Sequence, residues 1–193
     1  MTDIAIRFYE LDDASELYEA ARESVFEVYK WLPWCHPEYG IKESEVWLAE
    51  QVEKRQEGIE FAFAIVDSDG SYLGGCGLNE IDYKQKTANL GYWIRSSAMG
   101  QGIATKAVAR LSAWGFKNTD LIRLEIKCAV KNARSQRVAE KSGAVREGIR
   151  KSCLDIHGKK HDAVVFVIKR NKTTEQGAAP DSFSVSRYKN RYA

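Results

Sequence analysis

At 193 residues, 44% of them hydrophobic, the chain is long enough for one well-buried domain and too short for two comfortable ones. Its 29 basic and 27 acidic residues leave a net charge of +2, so bulk composition gives no electrostatic footprint for nucleic acid or an anionic membrane, and any anion site must be local. Cys35, Cys76, Cys128 and Cys153 form no C-x-x-C pair, the three histidines complete no zinc spacing, and no run reaches the ~18 apolar residues of a membrane helix, which predicts a cytoplasmic protein with reduced thiols and no metal.

Ile4, Ile6 and Phe8 alternate with Ala5, Arg7 and Tyr9, the period-2 pattern of a half-buried first strand. Asp12 or Asp13 suits the cap of a helix that Leu17, Ala20, Ala21, Ser24, Val25 and Val28 carry to about Tyr29. Pro33 and Pro37 exclude a helix through the aromatic segment from Tyr29 to Tyr39, which reads as a structured loop. Its Trp31, Leu32 and Trp34 suit two roles, closing one end of the core or walling a substrate cleft. A second helix runs from Ser44 through Trp47, Leu48 and Val52 to near Gly58. Phe61 to Val66 and Tyr72 to Ile81, joined by the turn from Asp67 to Gly70, make a β-hairpin, and Gly74, Gly75 and Gly77 in its second arm imply close backbone neighbours.

Ala88 to Ile94 reads as a buried strand, Gly100-Gln101-Gly102 as a loop, and the following stretch as a helix with Ala104, Val108, Leu111 and Phe116 on one apolar stripe. Glycines there let the backbone approach a ligand, and the first helical N–H groups point outward at the positive end of the dipole, a geometry for phosphate or pyrophosphate. Thr105 stands where a dinucleotide fingerprint needs its third glycine, and the Gly-Lys-Ser/Thr ending of a P-loop is absent. Arg123 to Val130 alternates Leu124, Ile126 and Cys128 against Glu125 and Lys127, a further strand that Asn132 follows. Ala133 to Ser142 reads as a short helix closed by Gly143, and Val145 to Ile156 with Ala163 to Ile168 as a final hairpin turning at 157–160. The domain is set at 1–169, with 170–193 as a polar, mobile tail whose Arg187, Tyr188, Lys189, Arg191 and Tyr192 read as a solvated terminus rather than an RNA contact.

This order of elements, with GYW ahead of AMGQGIATKAV and then NARSQRVAEKSG, resembles the GCN5-related N-acetyltransferase (GNAT) superfamily. With WLPW in the early loop, it is similar to the branch that acetylates ribosomal-protein N-termini, and the resemblance covers residues 1 to about 169. It implies an α+β architecture, the α/β GNAT fold. That is a mixed, mostly antiparallel twisted sheet of about seven strands, splayed into a V between two parallel strands and flanked by helices.

The resemblance also implies acetyl-CoA as co-substrate, its pyrophosphate on the backbone of Met99, Gly100, Gln101, Gly102, Ile103 and Ala104, with Thr105 next in line. Its pantetheine arm would lie between Leu90–Ile94 and Leu124–Val130, along Trp93 and Ile94, where a strand N–H would stabilise the oxyanion. Ser97 departs from the superfamily's Gln or Arg three residues before the first glycine, which removes a side chain from the loop entrance. Asn132 and Ser135 match an N-x-x-S beside the coenzyme's sulfur; taken alone, they equally suit a strand end and a helix-start hydroxyl. Ser135 is the implied acid, and Leu154 stands where the branch carries its glutamate base, with Asp155 on the opposite face, so Glu80 is the substitute base. Trp31, Trp34 and His36 are the candidate acceptor-binding residues, and Cys128 reads as a small core residue rather than an acyl nucleophile. The expected acceptor is a protein N-terminal α-amine, with a small-molecule amine or a non-catalytic acyl-CoA binding module as the alternatives and a homodimer as the commonest assembly.

Overall fold

The computed structural model describes residues 3–171. Its strands are β1 (Ile4–Phe8), β2 (Phe61–Asp67), β3 (Tyr72–Asp82), β4 (Thr87–Ile94), β5 (Arg123–Ala129), β6 (Val145–Ile156) and β7 (Lys159–Lys169). Its helices are α1 (Ala14–Val28), α2 (Ile41–Glu57), α3 (Ile103–Asn118) and α4 (Ala133–Lys141). The strands form one open sheet in the order β1-β2-β3-β4-β5-β7-β6. Every neighbouring pair is antiparallel except β4 and β5, which run parallel because α3 carries the chain back across the sheet.

β2 explains the layering. Six consecutive residues, Phe61 to Val66, are buried, so both of its faces are covered. Phe61, Phe63 and Ile65 join the core beneath α3, built on Val108 and Leu111, while Ala62, Ala64 and Val66 face α1 and α2 through Leu17, Ala20 and Leu48. The alternation of large and small side chains thus assigns the bulkier half to the α3 layer.

Several boundaries differ from expectation for local reasons. Asp13 does not cap α1 with its side chain; its carboxylate instead accepts from Arg7 at 2.6 Å and from the Glu10 N–H at 2.8 Å, tying the β1–α1 corner. α2 starts at Ile41, ahead of Ser44, because Glu43 reaches back to accept the Gly40 N–H at 2.9 Å. The buried stripe of α3 is Ile103, Ala107, Val108, Leu111, Ser112 and Gly115, with Ala104 and Phe116 only flanking it. β7 begins at Lys159, extended by polar residues paired to β6, so the closing turn is two residues, His157 and Gly158, both at positive φ. Arg170 still belongs to the folded body, its N–H donating to the Ile122 carbonyl and its guanidinium to the Thr119 carbonyl. The remaining tail reading, from residue 172 onward, lies outside the described residues.

The β4–β5 ladder contains three pairs, Thr87 with Arg123, Ala88 with Leu124 and Asn89 with Glu125, and then stops. Beyond it β4 stays paired to β3 as far as Ile94, and β5 to β7 as far as Ala129. The sheet is therefore two half-sheets joined at an apex and parted at their glycine-loop end. Backbone groups that would bond across a continuous ladder are left facing the gap.

Candidate active site

β4 runs out through Arg95 into a single 3-10 turn, Ser96–Ala98, and then into the glycine loop. Gly100 at φ 81° and Gly102 at φ 77° are both left-handed, and a Cβ at either would meet nothing within 4 Å. The loop so bent delivers the N–H groups of Ile103, Ala104 and Thr105, the first turn of α3, without intrahelical partners. No side chain caps that end, which leaves a cradle of backbone donors open in front of the two glycines. Met99 packs against both the α3-side core and the cluster under the aromatic loop, and Ile94 is buried beneath the loop; neither presents a polar group.

Sequence reasoning missed what holds the loop entrance. Glu23 on α1 accepts from Arg95 Nε at 3.1 Å and Nη2 at 2.5 Å and from the Ser97 N–H at 2.6 Å, while Ser24 Oγ accepts the Ser96 N–H at 2.9 Å. Glu27 adds a bond from Ser96 Oγ at 2.7 Å. Ser97, which lacks the superfamily's long side chain, is thus fixed by its backbone from α1. Hydrogen bonds from Arg95 hold the Glu23 carboxyl at about 2, below its usual 4.5. The anchor is therefore complete above about 4.5 and is lost only as pH falls toward 2, so it is insensitive to pH near neutrality. Glu23→Gln is expected to weaken binding of inorganic pyrophosphate at the loop about three- to tenfold, measured by titration calorimetry, since it loosens the loop without removing its N–H donors.

At the open end of the gap, α4 brings in Ser135. Asn132 caps this helix, its side chain accepting the Ser135 N–H at 3.1 Å. Ser135 Oγ lies 3.0 Å from Tyr92 OH on β4 and 3.1 Å from Cys128 Sγ on β5. The hydroxyl therefore sits between the two parted strands, on the α3 side. Burial pushes the Cys128 thiol up to about 11, which keeps it protonated and a poor nucleophile. Tyr92 lies in the GYW motif, but the sequence assigns it no role, because its partner Ser135 is 43 residues away along the chain.

On the other sheet face stands Trp93. A Cβ on Gly75 would collide with the Tyr9 hydroxyl and fall 2.8 Å from Trp93 Nε1, so the bare glycine is what lets the indole lie there. Trp34 packs edge-on against Trp93 at 5.3 Å and against Tyr39 at 5.5 Å, and remains 36% exposed. Trp31 is partly buried beneath the Lys30 ammonium at 5.1 Å. His36 is engaged elsewhere, with Glu43 at 2.8 Å and Glu38 at 3.5 Å at the start of α2. The structure thus joins Trp34 to Trp93, while the contacts of Trp31 and His36 are separate. The β6–β7 turn comes over to this loop, His157 Nε2 donating to the Tyr29 carbonyl at 2.9 Å.

Glu80 lies at a register shift of β3, at φ 49°, and pairs with Lys127 on the polar face of β5. It therefore approaches the gap from the face opposite Ser135. Leu154 pairs across the ladder with His161, and Asp155 is engaged by Lys160 at 3.1 Å.

The family described as Acetyltransferase (GNAT) domain matches residues 3–145. The chain is similar to YdaF of Bacillus subtilis, to which ribosomal N-acetylation has been ascribed, at 29% identity over 163 residues, 84% of this chain and 89% of that one. It is also similar to the ribosomal-protein-serine acetyltransferase of Escherichia coli, at 37% identity over 93 residues, 48% of this chain and 51% of the relative. Among solved structures, the microcin C7 self-immunity acetyltransferase MccE, in complex with acetyl-CoA and AMP, shares the fold at a TM-score of 0.80 and 25% identity, covering 87% of this chain and 93% of that one.

Proposed function

The chain belongs to the acetyltransferase (GNAT) domain family, and from that premise we propose that this acetyltransferase moves the acetyl group of acetyl-CoA directly onto a primary amine, the N-terminal α-amine of a protein first among them. The observation that carries this reading is the alignment of the open glycine cradle with a ladder that stops at Asn89 and Glu125, leaving a slot with Ser135 at its mouth. The parallel with relatives named for ribosomal-protein acetylation supports the acceptor class. A cytoplasmic location fits that acceptor; among the described residues no helix is long and apolar enough to cross a membrane.

Acetyl-CoA, when bound, supplies the thioester that is broken. The N–H groups from Gly100 to Thr105 receive its pyrophosphate, and free backbone groups of Leu90–Ile94 bond the pantetheine arm as a neighbouring strand would. A β4 N–H facing the gap stabilises the carbonyl oxygen as the amine attacks. The new C–N bond replaces the C–S bond; Ser135 donates a proton to the departing sulfur, and Glu80, directly or through water, takes the proton the amine loses. Trp34 and Trp93 wall the acceptor side.

The amine must be neutral to attack. With pKa near about 8 for an α-amine and about 10.4 for lysine, deprotonation at neutral pH costs roughly 1 kcal/mol for the former and nearly 5 kcal/mol for the latter. An exposed carboxylate such as Glu80, paired with Lys127, suffices for the first and is poorly matched to the second. Coenzyme A release should therefore be fast with short peptides bearing free N-termini, slow with lysine side chains, and should rise with pH up to about 8. Faster release with small polyamines or aminoglycosides would move the acceptor to the small-molecule class. Absence of release with every amine would leave an acyl-CoA binding module.

A further inference from the structure

Past the apex, β4 and β5 share no ladder bond, so something else must fix how far apart they stand. Among the described residues, the side-chain hydrogen bonds that cross from the free half of β4 to α4 are both made by Tyr92: its hydroxyl donates to the Ser135 carbonyl at 3.0 Å and lies 3.0 Å from Ser135 Oγ. Ser135 Oγ continues to Cys128 Sγ on β5 at 3.1 Å, which closes a bridge from one arm of the V to the other.

We propose that Tyr92 is a positioning residue that sets the width of the β4–β5 gap and turns the Ser135 hydroxyl toward the place of the coenzyme sulfur, a role resting on the reading of that gap as the pantetheine slot. Its ring packs with the α3-side core, so the phenol reaches the slot from a fixed base rather than as a mobile side chain. The donor inventory is consistent. The Ser135 carbonyl can only accept, so the single phenolic proton goes there, and the phenol oxygen is left to accept from Ser135 Oγ or to sit beside it while that hydroxyl serves the sulfur. Burial raises the phenol well above its ordinary value, so the donor stays protonated at any pH at which the enzyme would work. Tyr92 therefore supplies no proton to the reaction; it holds the group that does.

Tyr92→Phe keeps the ring and removes both bonds, and melting temperature serves as the check that the fold is kept. Titration calorimetry with coenzyme A alone should show binding weakened about five- to tenfold, and steady-state kinetics should show kcat reduced by a similar factor with the KM for the amine unchanged. A coenzyme A Kd within twofold of the parent overturns the positioning role, whatever the turnover of the Ser135 variant. Normal turnover in Ser135→Ala together with weakened coenzyme binding in Tyr92→Phe removes the serine's proton-donor role and supports the bridge. A Tyr92→Phe loss that appears only in the KM for the amine overturns the proposal, because the phenol is placed on the thiol side of the sheet.

Discussion

Replacing Ser135 by alanine is expected to lower kcat on a peptide N-terminus about a hundredfold, with KM for both substrates within a few-fold of the parent. The reason lies in position. Its hydroxyl is held between Tyr92 and Cys128 at the open end of the parted strands, and a thiolate leaving from there has no other uncommitted oxygen acid assigned to it. Glu80→Gln should cost less, about tenfold, concentrated below the pKa of the acceptor amine, because an α-amine is partly neutral without help. Stopped-time assays of coenzyme A release across pH 6 to 9 would check both (the range brackets the reference pKa of about 8). Near-normal turnover in both variants would sink the acid and base assignments together.

The second large effect is on stability. Gly74→Ala is expected to cost about 3 kcal/mol or more, seen as a fall in melting temperature of roughly 10 °C. Gly74 sits at φ 147°, and a Cβ there would penetrate the Trp93 carbonyl oxygen and come within 2.9 Å of Ile94 Cα. Those obstructing atoms are backbone in a paired strand, so the ladder itself must yield. Gly91, on the neighbouring strand with nothing within 4 Å of its missing Cβ, is the control: Gly91→Ala should stay within about 0.5 kcal/mol. Equal melting temperatures for the two variants would refute this account of the β3 glycines.

These particulars show where sequence was enough and where it was not. The continuous run Phe61–Val66 announces a strand covered on both faces, and Gly74, Gly75 and Gly77 announce close neighbours, because burial and crowding select residue types locally. The Gly100–Gly102 loop is legible for the same reason: left-handed backbone selects glycine. Glu23 and Tyr92 were illegible. Each acts through a partner far along the chain, Arg95 or Ser135, and neither residue type is unusual in a helix face or a strand. The cap expected of Asp12 or Asp13 does not form through the Asp13 side chain, because the competing donor, Arg7, reaches it from another element. Trp31, Trp34 and His36 share one aromatic loop, whereas packing joins Trp34 to Trp93 and gives His36 to Glu43.

The three-pair apex between β4 and β5 makes the sheet thermodynamically unfinished. A ligand that lies in the opening supplies hydrogen bonds of the kind the absent ladder would have made, and it does so only in the native state. Conformational stability is then linked to ligand activity: a free concentration of a hundred times Kd adds about 2.7 kcal/mol, and a thousand times about 4.1 kcal/mol. A chain built this way is expected to melt at a higher temperature as free coenzyme A rises, in proportion to the logarithm of its concentration, so that thermal melts across a coenzyme titration read the opening through stability rather than turnover.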